Sequence, residues 1–583
     1  MDKKTILAIL ISVVIYLGVT VTVRTFFPGK QRETNISKTE EKTTVVENTE
    51  PIEQKEEKRE KKWNCIITPL ENDRKEKDIE IETDVYKIVF SNKGGTVKSI
   101  ELKNYKLNSG KNVEMVFGGS PDNKAFNLYF GSQKNRPIEA IFDYSTKGNQ
   151  YIFTKKFESY ERGNEEEKNL FLLKKVFTIK PEEYLIQLDV YFENENRQKS
   201  LPLDRENLSY TLGFEPQIGP EFKKIGGRGK DYRKNYTYFD GKKKRQKIGK
   251  GKKTKVVDES FFWAGITGKY FSVIGIPYVD SLEKITFSKN KIKDIPEGAQ
   301  FYFSINAERK KHLIDDRYYF YVGPRKESIL KKYNKEKDNS FGVKDFNINK
   351  IVDTGWPIFG WLEIIIKELL KLFYRIIPNY GISIIFTTIL IKALVFPLTH
   401  KTFESTTKMQ ALQPKMEEIR NKYKNDPQKM NMEIAAFYKK EGVNPLGGCL
   451  PMLLQMPIMI AFYGLLNNHF DLRGAPFVGW ITDLSSPESI FTLSFEIPFG
   501  IGSEIRLLPL IMVATQILSG KIMQTSNTSA NNQMKMMSYA MPVVFLFILY
   551  NLPSGLIIYW TVANIITVLQ QFIINKILKN RAS

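Results

Sequence analysis

"IFTTILIKALVFPLTH", Ile385 to His400, is an apolar run of the kind a lipid bilayer accepts, except that Lys392 sits inside it. A cation at the centre of a spanning helix costs about 2.5 to 3.5 kcal/mol on insertion scales. Either its surroundings offset that cost or the charge has a use. On a helix ending near His400, Lys392 stands about 12 Å from the end at 1.5 Å per residue. A lysine stem reaches about half that far, so simple snorkelling is strained. Thr388, Val395 and Thr399 share its face at i−4, i+3 and i+7, making a partly polar stripe.

Further out, the composition is a mixture. The 583 residues carry a net charge of +22 and a mean hydropathy of −0.31, matching neither an ordinary soluble enzyme nor a wholly membrane-buried transporter. Segments able to cross a hydrocarbon layer of about 30 Å crowd into the last third, at 380–399, 446–467, 505–523, 534–551 and 554–576. A sixth, "ILAILISVVIYLGVTVTV" (Ile6 to Val23), follows "MDKKT" and is not followed by a small-x-small cleavage pattern. It reads as an uncleaved anchor within 1–28, its lysines staying in the cytoplasm.

Loop charges orient the spans. Lys401, Lys408, Lys415, Arg420, Lys422, Lys424, Lys429, Lys439 and Lys440 separate the first two spans of the cluster, whereas Arg473 is the only cation in the next connection before its helix start. The positive-inside tendency puts the basic connection in the cytoplasm. Six spans with both termini cytoplasmic then satisfy every loop.

Residues 29–80 are rich in Glu, Lys and Thr and too poor in apolar side chains to offset ordering entropy, so a flexible tether is predicted. Over 81–345 the period becomes two. In "LIQLDVYF", Ile186, Leu188, Val190 and Phe192 alternate with Gln187, Asp189 and Tyr191, as half-buried strands do. "SNKGGTVKS" supplies a turn at Gly94 and Gly95. A large antiparallel β domain on the outer face follows. Its cationic run "GKKKRQKIGKGKK", Gly241 to Lys253, reads as a solvated loop or hairpin tip. Within 346–378, "WLEIIIKELLKLFYRII" (Trp361 to Ile377) repeats polar residues at helical spacing and is expected to lie in the membrane surface.

After the span at 379–400, the insert 401–444 has a 3,4 seam at Met409, Leu412, Met416, Ile419 and Tyr423. Asp426 suits an N-cap and Pro427 a first helical position, and the next helix carries Met430, Ile434 and Phe437. A basic helical hairpin is predicted, with a kink at Pro414. Spans within 445–576 and a short basic tail, 577–583, complete the chain. These spans contribute Gln455, Gln516, Thr561 and Asn564, and no convincing acidic partner for Lys392. An unpaired ammonium needs water, so a hydrated cavity open to the cytoplasm is predicted around Lys392.

"SNKGGTVKSIELKNY" (Ser91 to Tyr105), "YVGP" (Tyr321 to Pro324), "NYGISIIFTTILIKALVFPLT" (Asn379 to Thr399), "KMQALQPKM" (Lys408 to Met416), "NPLGGCLPMLLQMPI" (Asn444 to Ile458) and "PSGLIIYW" (Pro553 to Trp560) together resemble the bacterial YidC membrane-protein insertases. The resemblance implies a five-helix core enclosing a hydrophilic groove, a cytoplasmic hairpin, and a periplasmic β-supersandwich similar to galactose mutarotases. Lys392 matches the family's groove cation, where arginine is usual. Lysine keeps the charge and loses the fixed donor fork. Thr388, Gln455, Tyr559 and Trp560 fall on groove positions, and the residue reading adds Gln516. The tail lacks the long basic extension of some members, which leaves the hairpin as the place where a ribosome could meet the chain.

The function expected is insertion and folding of inner-membrane proteins, alone or beside the Sec translocon, with nascent membrane proteins and the bilayer as partners. No cofactor, metal or catalytic residue is expected. His312, His400 and His469 are scattered, Cys65 and Cys449 suggest no disulfide framework, and no phosphate-binding loop or sequence-specific nucleic-acid module is present. A secondary transporter using Lys392 as a substrate or proton site is the main rival; the spans lack an acidic relay and a clear inverted repeat. An enzyme in the β domain would need a positioned acid and base, and His312 is the only histidine there.

Overall fold

The computed structural model describes residues 65–582, apart from 72–73, 108, 118–123, 162, 202, 204–206, 221–232, 280, 290–299, 308–311, 354–357, 443–449, 498–500 and 524–531. The expected anchor, and the tether up to residue 64, lie outside the described residues, as does Cys449.

Among the described residues two antiparallel sheets, of ten and nine strands, share one apolar core. The larger is centred on Leu185–Asn194 and Leu313–Pro324, paired with Leu185 opposite Tyr321. The predicted alternation holds: Ile186, Leu188, Val190 and Phe192 are buried. Asp189 is buried as well, and Arg317 meets it at 2.6 Å. In the smaller sheet Leu208–Phe214 runs between Ala125–Phe130 and Gln300–Asn306. Aromatic rings join the layers, with Phe126 packed edge-on to Phe177, Phe214 and Phe320.

The expected turn at Gly94 and Gly95 joins strands Tyr86–Ser91 and Thr96–Lys106, and both glycines have positive φ, +75° and +53°. Beneath it lies Lys175, fully buried, its Nζ donating to the carbonyls of Gly94 (3.1 Å) and Phe126 (2.8 Å). Burial pulls this ammonium down to about 7. The β domain also begins earlier than its composition suggests. Cys65–Pro69 pairs as an edge strand with Gln150–Glu161, because a ladder rewards backbone bonds even where side chains bury little. Beyond Pro324 the chain folds back, and Tyr333, Phe346, Ile348 and Ile351 enter the core.

The helices are α1 (Glu327–Lys331), α2 (Gly360–Ile376), α3 (Tyr380–Ala411), α4 (Gln413–Lys422), α5 (Pro427–Lys440), α6 (Leu450–Asn468), α7 (Leu508–Met523), α8 (Asn532–Leu549) and α9 (Ser554–Ala582). By length and composition Tyr380–Pro397 and Ser554–Ile574 can cross a membrane; Leu508–Lys521 and Ala540–Leu549 are shorter apolar helices. Helices α6, α7 and α8 adjoin the undescribed stretches at 443–449 and 524–531.

The hairpin differs from expectation at its base. Helix α3 passes residue 400 and runs to Ala411, since leaving an apolar phase does not oblige a helix to stop. The helix is interrupted at Leu412, and Pro414 falls in the first turn of α4, where a proline costs little. The Leu412 and Met416 amides still donate to the Lys408 and Leu412 carbonyls (3.2 and 3.1 Å), so the interruption is local and lies beside the expected kink. Asp426 is the N-cap of α5 and accepts from the Lys429 amide at 3.0 Å.

The amphipathic helix α2 buries Glu363, Ile366 and Leu370 and leaves Trp361, Ile364, Ile365, Leu372 and Ile376 exposed. Its Phe373 and Tyr374 stack on Phe386 and Tyr380 of α3.

Candidate functional site

One end of the helical core meets the β domain through the segment after α6. Phe470 packs edge-on against Tyr105, Tyr270 and Phe271. Lys269 donates to the Ser485 carbonyl (3.0 Å) and Tyr270 to the Ser485 hydroxyl (2.8 Å). Burial lowers the Lys269 ammonium to about 8. Lys326 pairs with Asp471 at 2.8 Å. Asp483 organises the segment, accepting from the Gly474 and Ser485 amides, while Ser554 at the start of α9 donates to the carbonyls of Asp483 and Ser486.

The start of α3 is fastened to the same segment, because the Asn379 side chain donates to the Phe477 carbonyl (3.2 Å) and accepts from the Ile382 amide. A Cβ on Gly381 would lie 2.0 Å from the Phe477 ring. Gly381→Ala is therefore expected to lower stability by about 1 to 3 kcal/mol, the range for overpacking, read as a reduced melting temperature in detergent. Gly520→Ala, where a Cβ meets nothing within 4 Å, serves as the control and should not melt lower.

Lys392 lies about 18 Å along α3 from Tyr380 at 1.5 Å per residue. It is half-buried. Its Nζ donates to Oε1 of Gln455 on α6 (3.2 Å) and to Oγ1 of Thr567 on α9 (3.0 Å). The Thr567 hydroxyl itself donates to the Ala563 carbonyl (2.8 Å), so the Lys392 ammonium meets a lone pair. Gln570 approaches the Lys392 carbonyl at 3.4 Å. Three helices thus converge on one cation through neutral oxygen acceptors. Such a site can hold a charge while leaving it able to attract an anion.

The other anticipated residues have separate settings. Thr388 is buried and donates to the Ile384 carbonyl at 2.6 Å, so its hydroxyl serves its own helix. Gln516 on α7 is half-buried, and its Oε1 has no hydrogen-bond partner among the described residues. Tyr559 is buried with its ring stacked on Phe462 at 4.3 Å, and Trp560 lies 5.7 Å from Phe545. Both belong to the apolar cluster of the helical core. Thr567 and Gln570 were not anticipated. The signal existed in the polar series Thr561, Asn564, Thr567 and Gln570, in which each residue neighbours the next at i+3, so that a polar stripe winds around α9.

No group of acidic, His and Cys side chains suited to a metal occurs among the described residues. At the foot of the β domain, burial would raise the Glu327 carboxyl, but hydrogen bonds from Lys331 and Lys367 hold it at about 2. The Lys367 pair, 2.7 Å long, links α2 to α1.

Comparison with known proteins gives two family matches. The family described as 60Kd inner membrane protein matches residues 372–581, and that described as YidC periplasmic domain matches residues 78–372. Among curated relatives, the membrane protein insertase YidC of Treponema denticola is 38% identical over 517 residues, 87% of each chain. That of Treponema pallidum is 33% identical over 86% of each chain, and that of Pelobacter propionicus is 30% identical over the full length of both. A solved structure of an active YidC insertase covers 86% of this chain and 94% of its own at 18% identity, with a TM-score of 0.35. At that score the structural likeness carries no argument.

Proposed function

Because the chain belongs to the YidC family of membrane protein insertases, we propose that it inserts integral membrane proteins and helps them fold, through a hydrophilic groove whose working charge is Lys392. The family places it in the bacterial inner membrane with the β domain in the periplasm. Helix ends that touch the β domain are then outer ends. On that footing the chain crosses six times with both termini in the cytoplasm, α4 and α5 form the cytoplasmic hairpin, and α2 lies at the outer membrane surface. The exposed Trp361, Ile364 and Ile376 of α2 suit lipid contact.

The observation that supports the reading is the setting of Lys392, whose Nζ donates to Gln455 and Thr567 on two other helices. A client helix of about 20 apolar residues gains by entering lipid; the barrier is moving its polar flank through hydrocarbon. A wet groove reaching from the cytoplasm to Lys392 shortens that passage. The ammonium attracts acidic residues of the flank while they are short of water. Gln516 and Thr388 would line the groove, with Tyr559 and Trp560 packing its outer end. Nucleotide hydrolysis has no part in this scheme. The hairpin would receive clients, from a ribosome or beside the Sec translocon.

Purified protein in proteoliposomes should insert a client with a short periplasmic tail well above protein-free vesicles. Equal insertion in both would overturn the proposal. The transporter alternative draws no support from the family, and the β domain is assigned no catalysis.

A further inference from the structure

We propose that the basic segment Arg245 to Lys255 of the β domain rests on anionic phospholipid headgroups of the outer leaflet. The placement follows from strand register. Thr267 ends strand Trp263–Thr267 and leads directly to Lys269 and Tyr270, which touch Ser485 of the helical core. Lys234 pairs with Thr267, so strand Lys234–Phe239 starts at this membrane-facing end and runs away from it. Asp240 and Gly241, both at positive φ, turn the chain at the far end. Strand Lys242–Gln246 then returns, with Gln246 opposite Asn235. The cationic run therefore begins in a hairpin turn at Gly241 and ends in an exposed connection. Its second half, beyond Gln246, emerges at the end of the sheet that faces the membrane. It lies two strands, about 10 Å, from the strand that reaches the core, and so beside the helices.

Chemistry agrees with position. Arg245, Lys247, Lys250, Lys252, Lys253 and Lys255 are all exposed. No ion pair involves any of the six among the described residues, whereas Lys244 higher on the strand pairs with Glu259. Charge on an edge strand guards against strand addition, which accounts for Lys242 and Lys244. It does not account for lysines gathered in the connection past the strand end. Polybasic segments bind anionic bilayers in proportion to the number of cations near the surface. The route of the chain points the same way. Lys234 and Lys243 both hold Asp353 (2.7 and 2.8 Å), and from Asp353 the chain runs on toward α2. The surface is thus tied to the segment that leads to the amphipathic helix.

The inference rests on the periplasmic placement of the β domain proposed above. Full-length protein in nanodiscs containing phosphatidylglycerol, compared with purely phosphatidylcholine discs, should show amide exchange over 245–255 slowed about tenfold, the scale that one or two lysines supply at an anionic surface. High salt, or the combined variant Lys247→Gln, Lys250→Gln, Lys252→Gln and Lys253→Gln, should abolish the difference. Exchange over Leu185–Asn194 should be the same for wild type and variant, showing an intact sheet. Identical exchange over 245–255 in the two lipids overturns the proposal, and so does equal protection by soluble glycerophosphate, which would mark a phosphate site and not a lipid-docked surface. Client insertion measured on the same preparations reports the insertase reading separately.

Discussion

Lys392→Ala should slow insertion of a client with an acidic tail about tenfold, equivalent to ~1.4 kcal/mol in the barrier. A neutral-tailed client should change by less than about twofold. Two opposite charges about 5 Å apart at an effective dielectric near 20 attract by roughly 3 kcal/mol, and part of that is returned as desolvation. Lys392→Arg should keep the rate, because the charge remains and a guanidinium can still donate to Gln455 and Thr567. Time-resolved insertion into proteoliposomes decides the matter: equal losses for acidic and neutral tails would mean the charge is not what the groove uses.

The second large effect concerns Lys175. Its folded-state value of about 7 lies far below the ordinary 10.5, and burial is the cause. Between those values the unfolded chain binds a proton that the folded chain does not, so stability climbs as pH rises. From about pH 7.5 to 9.5 the gain approaches 2 to 3 kcal/mol at 1.36 kcal/mol per unit. Below about pH 7 both states are charged and the gain is lost. Lys175→Met should remove this slope. It should also deprive the Gly94 and Phe126 carbonyls of their donor, costing about 1 to 3 kcal/mol, so the variant falls furthest behind wild type at the alkaline end. Parallel melting curves against pH for the two proteins would show that Lys175 titrates as a surface lysine does.

The β alternation, the paired-glycine turn and the Asp426 cap were legible because each depends on residues adjacent in sequence. Cys65–Pro69 was not, since an edge strand is recruited by a partner's unpaired backbone and its own apolar content says little. The basic run Gly241 to Lys253 could be seen but not placed: which end of a strand faces the membrane is fixed by pairing with Lys234–Phe239, a register that charge does not encode. Around Lys392 the charge and Gln455 were legible as polar residues inside apolar spans, whereas Thr567 was passed over as one threonine among several on α9. Family position pointed to Tyr559 and Trp560, and in the folded chain their rings pack against Phe462 and Phe545. Position in a motif says which helix face a residue occupies, and packing decides how much of it remains available.

Helix α3 continues well past the point where the sequence turns polar. Its 32 residues give a rod of about 48 Å, and with an average tilt near 20° about 15 Å of it extends beyond a hydrocarbon layer of 30 Å. In the proposed topology this stalk lifts the lysines of α4 and α5 beyond the roughly 8 Å over which cytoplasmic salt lets charges sense one another. The inner leaflet cannot then neutralise them, and the raised platform keeps its cations for whatever arrives from solution.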